Sequence, residues 1–384
     1  MILFLHNRYR TTGGEERVVA DLRWLVREHL GEEAELLQRD SASIGRRDAA
    51  RGLLSGGLEP DDVARAVRRT GARVVHAHNL HPTLGWRALR AARGAGARVV
   101  LHLHNYRLVC AVGTCFNSRG EDCTRCRGID TTPGVRLNCR GTGAEAAVYA
   151  AGLALQQRRL TAQADAIVVP SRAAAQRLRD LCAPVDPRRM HVVPHVMRSF
   201  ATRSAAAEGA YALVASRLAP EKGIQTAIDA CARAGVPLRI AGDGPLADSL
   251  KARAQAGGES ESAAVTFLGR ITDDALVRQR AGAALAIVAS QAAETFGLAA
   301  AEAMAAGLPV AATRVGALQD LLDPSALSAP GDADALARTV RRLFGDETAG
   351  TANIAKVRET CEPAGVAAAL TRVYEHACSP VTTV

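Results

Sequence analysis

The feature that most constrains this chain is a repeating unit: a short apolar run, a turn rich in Gly or polar residues, then apolar positions at helical spacing. Residues 2–6 form the first run. A loop follows from Asn7 through Gly13 and Gly14, and Val18, Val19, Leu22, Leu25 and Val26 then recur with helical periodicity. Strand, Gly-rich loop and helix together open a doubly wound domain. Further strands are predicted at 34–37, 73–78, 98–104, 166–171 and 190–194, with helices over 61–69, 83–94 and 143–162. The stretch 198–209 loses the periodicity and is small and polar, so it reads as a flexible linker. A second series then starts, with strands at 211–216, 236–241, 264–268, 284–289, 309–312 and 326–329 and helices between them. Two successive βαβ series of similar size predict an α/β chain of two Rossmann-like, doubly wound domains. A length of 384 residues also favours two domains. The expected division is 1–200 with a Cys-rich loop at 105–140, then 201–364, then 365–384 as a C-terminal helix packing back on the first domain.

Hydrophobic residues make up 48% and aromatics only 3%, so the cores must be built from Ala, Leu and Val. The formal charge is +9, and almost all of the basic residues are Arg; the only lysines are Lys222, Lys251 and Lys356. Arg and Ala richness of this kind fits a GC-rich, actinobacterial genome. No basic run interleaved with aromatics is present, so nucleic acid is not an expected partner. The start lacks a basic n-region, and no window of about 18 apolar residues occurs. The expectation is a soluble, cytoplasmic protein, with peripheral membrane contact through an Arg-bearing face left open.

Four segments carry chemistry. Residues 294–302 (Glu-Thr-Phe-Gly-Leu-Ala-Ala-Ala-Glu) follow the apolar run 284–290 and open an Ala- and Met-rich helix that stops at Gly307, with Pro309 beyond. Glu294 is placed in the loop before this helix and Glu302 two turns into it. The free N–H groups of Phe296, Gly297 and Leu298 lie where a helix N-terminus holds an anion. The second segment, Ser216 to Gly223, sets Arg217 and Lys222 around a tight turn at the carboxyl end of a strand, the ligand edge of an open α/β sheet. Such a pair can clamp a diphosphate, although a solvated turn with Glu221 paired to a cation is the plainer reading. Gly242-Asp243-Gly244-Pro245 reads first as a tight strand-to-helix turn. In the last segment, Phe267 to Ile271, Gly269 permits close approach of a flat ring, and the main chain at Arg270 and Ile271 could pair with a nucleobase edge.

These segments, in this order and at these spacings, resemble the retaining glycosyltransferases of family 4, which have the GT-B fold. Gly13-Gly14-Glu15-Glu16-Arg17, His102-Leu103-His104-Asn105-Tyr106 and the segment ending at Ser171 fit the same family, so the resemblance covers nearly the whole chain. It implies two Rossmann-like domains facing a cleft, with the donor held mostly by the second. By position, Arg217 and Lys222 would bind the donor diphosphate, Glu294 the sugar hydroxyls and Glu302 the ribose. The amides of Phe296, Gly297 and Leu298 would help hold phosphate and sugar. Gly14 would let the first-domain loop approach the diphosphate, and His104 would stand beside the reacting sugar. The implied catalytic set is His104, Arg217, Lys222 and Glu294, and no cofactor is required, since fixed cations stabilise the leaving diphosphate. Ala289-Ser290-Gln291 and His195 depart from the usual Pro-Ser and Asn, which bears on donor preference, and Asn105 stands where many relatives have Asp.

The implied reaction moves a hexose-type sugar from a UDP- or GDP-linked donor to a natural-product, glycan or lipid-linked acceptor. A sugar-nucleotide epimerase or phosphorylase on the same fold is the enzymatic rival. A non-catalytic nucleotide-sugar-binding protein with a zinc-stabilised interaction loop is the rival of another class. That loop carries Cys110, Cys115, Cys123, Cys126 and Cys139, five of the nine cysteines. Cys123 and Cys126 form a C-x2-C pair suited to half of a tetrahedral zinc site, but free thiols and disulfides stay open. His76, His78, His81, His102 and His104 cluster at strand ends. A core or cleft-lining role is the plainer reading, and His102 competes with His104 because both point one way if the strand continues.

Overall fold

The computed structural model describes residues 1–9, 13–256 and 264–379. The chain divides into two compact units. One comprises Met1–Arg119, Cys123–Val196 and Pro363–Val384, and the other Gly120–Asp122 and Met197–Glu362. In the first unit, β1 (Ile2–Arg8), β2 (Ala34–Asp40), β3 (Val74–Ala77), β4 (Arg98–His102), β5 (Ala166–Val169) and β6 (Met190–Val192) form a parallel sheet in the order β2-β1-β3-β4-β5-β6. In the second, β7 (Tyr211–Ala215), β8 (Leu238–Ala241), β9 (Val265–Gly269), β10 (Ala283–Val288), β11 (Val310–Thr313) and β12 (Leu327–Ser328) form another, in the order β12-β11-β10-β7-β8-β9. Both are flanked by helices, and both are Rossmann-like.

Central strands such as Val74–Ala77 and Val310–Thr313 are buried at every residue. This explains why they read as apolar runs rather than as alternating ones: a parallel sheet is covered on both faces. One core of the second unit packs Phe296, Ala300, Met304 and Leu318 against β10 and β11; the other packs Ile224, Ile228 and Leu336 against β7 and β8. Small residues dominate both, as the scarcity of aromatics requires.

The strand order fixes where ligands can sit. After β1 the chain goes to β2 on one side and then crosses to β3 on the other. After β7 it goes out through β8 and β9 and returns to β10. The crevices at the carboxyl ends of β1/β3 and β7/β10 are therefore the topological switch points, where open α/β sheets bind ligands.

Several sequence expectations need correction. The stretch 198–209 is not a free linker: the Ser204 hydroxyl donates to the Gly307 carbonyl at 2.7 Å, Ala201 N–H donates to Ala305, and Ala206 is fully buried. The helix in the 294–302 segment runs Leu298–Ala305, which puts Glu302 little more than one turn in, not two. β4 ends at His102, so His104 lies past the strand. The helices Arg46–Ser55 and, within the cysteine loop, Thr132–Arg136 were not anticipated. The C-terminal helix Pro363–Cys378 belongs to the first unit, where Val366, Leu370, Val373 and Tyr374 bury its apolar face against that unit's sheet and the helix Gly14–Leu30.

Candidate functional site

At the second unit's switch point, the loops leaving β7 and β10 lean on each other. Gln291 N–H donates to the Glu221 carbonyl at 2.8 Å. Gly223 follows a short 3-10 turn over Pro220–Lys222 with φ of 59°, and a Cβ there would lie 2.1 Å from the Ala289 carbonyl oxygen. Only glycine fits this backbone and this closeness. The result brings Lys222 Nζ to 2.6 Å from Glu294 Oε1, and the Ser290 hydroxyl donates to the same oxygen at 2.5 Å. Burial pushes the Glu294 carboxyl up. The Lys222 ammonium and the Ser290 hydroxyl outweigh that and hold it below the usual carboxylate range. Gly316 packs its backbone against that of Glu294, and Ala317 N–H donates to the Glu294 carbonyl, so the loop is braced from the far side as well. Arg217 pairs with Glu221 four residues on and keeps a half-exposed side chain, open to an anion.

Gly297 caps the helix Leu298–Ala305 in the left-handed region, and Phe296 is buried beneath it. Glu302 forms a buried ion pair with Arg280 from the helix Asp273–Ala281, a partner that no motif announced. The Gly-Asp-Gly-Pro turn has a structural job: Cβ atoms at Gly242 and Gly244 would lie 1.8 Å from the Ser216 and 2.4 Å from the Leu218 carbonyl oxygens, so the turn seats directly on the loop that carries Arg217. Arg270 and Ile271 follow β9, with Gly269 in the left-handed region and nothing within 4 Å of where its Cβ would be.

The first unit's switch point is lined by imidazoles. Part of the loop between β1 and the helix Gly14–Leu30, residues 10–12, lies outside the described residues; Gly14 is the first residue of that helix and is exposed. His78 Nδ1 lies 2.7 Å from His104 Nε2, and His76 Nε2 lies 3.2 Å from His102 Nδ1, with the Tyr374 hydroxyl 2.9 Å from His76 Nδ1. His102 stacks on His104 at 4.2 Å and 10°, whereas His78 and His104 meet edge to edge through their nitrogens, with centroids 5.0 Å apart and planes 20° off parallel. Burial keeps all of them neutral, with His76 and His195 pushed down to about 3 and His78, His102 and His104 held well below the usual range. His102 and His104 are thus in direct ring contact. His76, His78 and His102, and likewise His102, His104 and His195, bring ring nitrogens within 4.8 Å of one another. Glu15, Asn105 and Arg107 line the same cavity as His78, His81 and His104. Glu15 accepts from the Tyr9 hydroxyl at 3.0 Å, and burial raises its carboxyl. The sequence placed Glu15 within a motif without giving it a role, and it gave no signal for Arg107.

Cys110, Cys115, Cys123, Cys126 and Cys139 line a single cavity in the first unit, together with Pro133 and Leu137.

Comparison with known proteins matches each half of the chain to a glycosyltransferase family model. Residues 9–195 match the glycosyl transferase 4-like domain, and residues 199–362 match glycosyl transferases group 1. An exopolysaccharide phosphotransferase of Streptomyces coelicolor is 33% identical over 192 residues, which are 48% of this chain and 20% of that protein. The 2-deoxystreptamine glucosyltransferase of Streptomyces kanamyceticus is 30% identical over 211 residues, covering 52% of this chain and 54% of that one. The chain thus spans about half, or less, of the length of these curated relatives. Among solved structures, Anabaena HepE in complex with UDP and glucose superposes with a TM-score of 0.68 at 16% identity, over 98% of this chain and 99% of that one.

Proposed function

The chain belongs to the group 1 and 4-like glycosyltransferases, one family model spanning each half, and on that footing we propose that it is a retaining hexosyltransferase using a UDP- or GDP-linked sugar. The observation that carries the reading is the cluster at the β7/β10 switch point. Arg217 and Lys222 on one loop and Ser290 and Glu294 on the other meet where this sheet topology receives ligands. Cations there take up the charge that develops on a leaving diphosphate. Glu294, ionised and held by Lys222 and Ser290, is an acceptor-only group suited to sugar hydroxyls. The amides of Phe296, Gly297 and Leu298 are assigned to phosphate and sugar, Glu302 to the ribose and the main chain at Arg270 and Ile271 to the base. In the first unit, Gly14 is assigned to the approach of the diphosphate and His104 to the reacting sugar. No group here is placed as a covalent nucleophile, so attack from the leaving-group face, with the departing phosphate taking the acceptor's proton, is the mechanism that fits a retained configuration.

The acceptor is proposed to be a hydroxyl of a natural product, glycan or lipid-linked saccharide. The relative that acts on 2-deoxystreptamine, by its name, favours the first class. The test incubates the protein with UDP- and GDP-sugars and candidate acceptors, follows nucleotide release, and reads the anomeric configuration of the product by NMR. Release that depends on acceptor, with retained configuration, supports the reading. Conversion of donor alone would identify an epimerase, dependence on phosphate a phosphorylase, and binding without turnover a non-catalytic protein.

A further inference from the structure

The segment 103–131, which starts at the residue before His104, contains no helix or strand, only single-residue bridges at Phe116, Asp122, Arg127 and Asp130. A stretch of this length without secondary structure inside a compact unit needs something to hold it. Its turns close on each other: Tyr106 N–H donates to the Gly113 carbonyl, Gly113 N–H to Cys110, and Cys123 N–H to the Cys115 carbonyl at 2.8 Å. Cys115 has a φ of 53°, a left-handed backbone that a cysteine adopts only when its surroundings require it.

The five thiols of the loop line one cavity with Pro133, Gly134 and Leu137, and a Cβ at Gly134 would lie 3.7 Å from Cys126 Sγ. Cys115 is set apart from the other four by its left-handed backbone. The remaining four are spaced as Cys110-x12-Cys123-x2-Cys126-x12-Cys139, two outer ligands placed symmetrically about a C-x2-C pair.

We infer that this cavity is a structural zinc site formed by Cys110, Cys123, Cys126 and Cys139, which braces the loop that carries Asn105 and Arg107 beside His104. The inference stands independently of the proposed sugar transfer. The sulfurs stand around the cavity rather than at bonding distance. Among the described residues, only histidine nitrogens gather in threes within 4.8 Å. Zn–S bonds of about 2.3 Å therefore require the cysteines to rotate about χ1 into the space they already line.

The test is elemental analysis of the full chain purified without chelator and again after incubation with equimolar zinc under reducing conditions, with p-hydroxymercuribenzoate titration to release bound metal. One zinc per chain, released as the thiols are consumed, is expected. Replacement by Co(II) should give a thiolate-to-metal charge-transfer band with tetrahedral d–d absorption. The Cys123→Ser/Cys126→Ser double variant should lose the metal, while Cys231→Ser/Cys361→Ser, in the second unit, should keep it. Because the first double variant could fail to fold, the mercurial titration and cobalt spectrum of the unaltered chain decide the matter without it. Absence of zinc after reconstitution, a bound metal without thiolate absorption, zinc retained in the first double variant, or disulfides among these cysteines by mass spectrometry would each overturn the inference.

Discussion

Lys222 Nζ lies 2.6 Å from Glu294 Oε1, joining two residues 72 positions apart across the switch point of the second sheet. In the proposed reading Lys222 has two roles, as a cation for the diphosphate and as a group that holds the buried Glu294 carboxyl low. Lys222→Ala should lower kcat/KM for sugar transfer by about 100- to 1000-fold, in the range seen when a group that stabilises transition-state charge is removed. It should also shift the acid limb of the pH–rate profile upward, because burial then raises Glu294 against the Ser290 hydroxyl alone. Circular dichroism should be unchanged. A variant with unaltered turnover would remove Lys222 from the diphosphate role.

Arg280 and Glu302 form an ion pair in which both side chains are largely shielded from water, 9% and 13% exposed. Removing one partner of such a pair leaves a buried charge without compensation, at a cost of about 3–5 kcal/mol. Arg280→Ala should therefore lower the urea midpoint of the second unit clearly, whereas Glu302→Gln, which leaves an amide able to accept from Arg280, should cost less. If Glu302 also grips a ribose, Glu302→Gln should raise KM for the donor with a smaller change in kcat. A KM left unchanged would confine Glu302 to a structural role.

The two-sheet architecture was legible because parallel strands covered on both faces are apolar throughout, and each is followed by a helix with a clear stripe. The separate settings of Glu294 and Glu302 were half legible. One sits in a loop and one on a helix, as the segment suggested, but Ser290 and Arg280 as their partners were not visible, since no local pattern links residues brought together by a crossover. The linker reading failed at 198–209 because loss of periodicity marks the absence of a helix or strand, not the absence of contacts; the buried Ser204 hydroxyl donates to the Gly307 carbonyl and accepts from Ala206 N–H. The histidines were legible as strand-end residues but not as a stack, which depends on the register of β3 against β4: His76 pairs with Val100.

Gly223 should tolerate no side chain. Its φ of 59° alone costs a non-glycine residue about 1–2 kcal/mol, and a methyl group there would also collide with the Ala289 carbonyl. Gly235, with φ of 69° and nothing within 4 Å, carries the backbone cost alone. Gly223→Ala should therefore destabilise the second unit more than Gly235→Ala does, and it should also cut transfer by displacing Lys222. Equal losses of stability, read from urea midpoints, would show that the Ala289 contact yields at little cost.

The imidazole row should make the first unit acid-labile well above the range where carboxylates titrate. His76 and His195 are held down to about 3 by burial, and His78, His102 and His104 are lowered in the same direction. In the unfolded chain these side chains take up protons near pH 6.5. Below that pH the unfolded state binds more protons than the folded one, so stability is fully present above about 6.5 and falls as pH drops, until the folded-state values near 3 are reached. Each such histidine contributes a slope of about 1.4 kcal/mol per pH unit, so His76 and His195 together should remove about 2–3 kcal/mol between pH 6 and 5. Tryptophan fluorescence isolates the effect, because Trp24 and Trp86 both lie in the first unit. Urea midpoints read by this signal should fall steeply from pH 7.5 to 5.5 and recover part of the loss in His76→Asn. A flat profile would mean that the row is hydrated or already charged in the native protein.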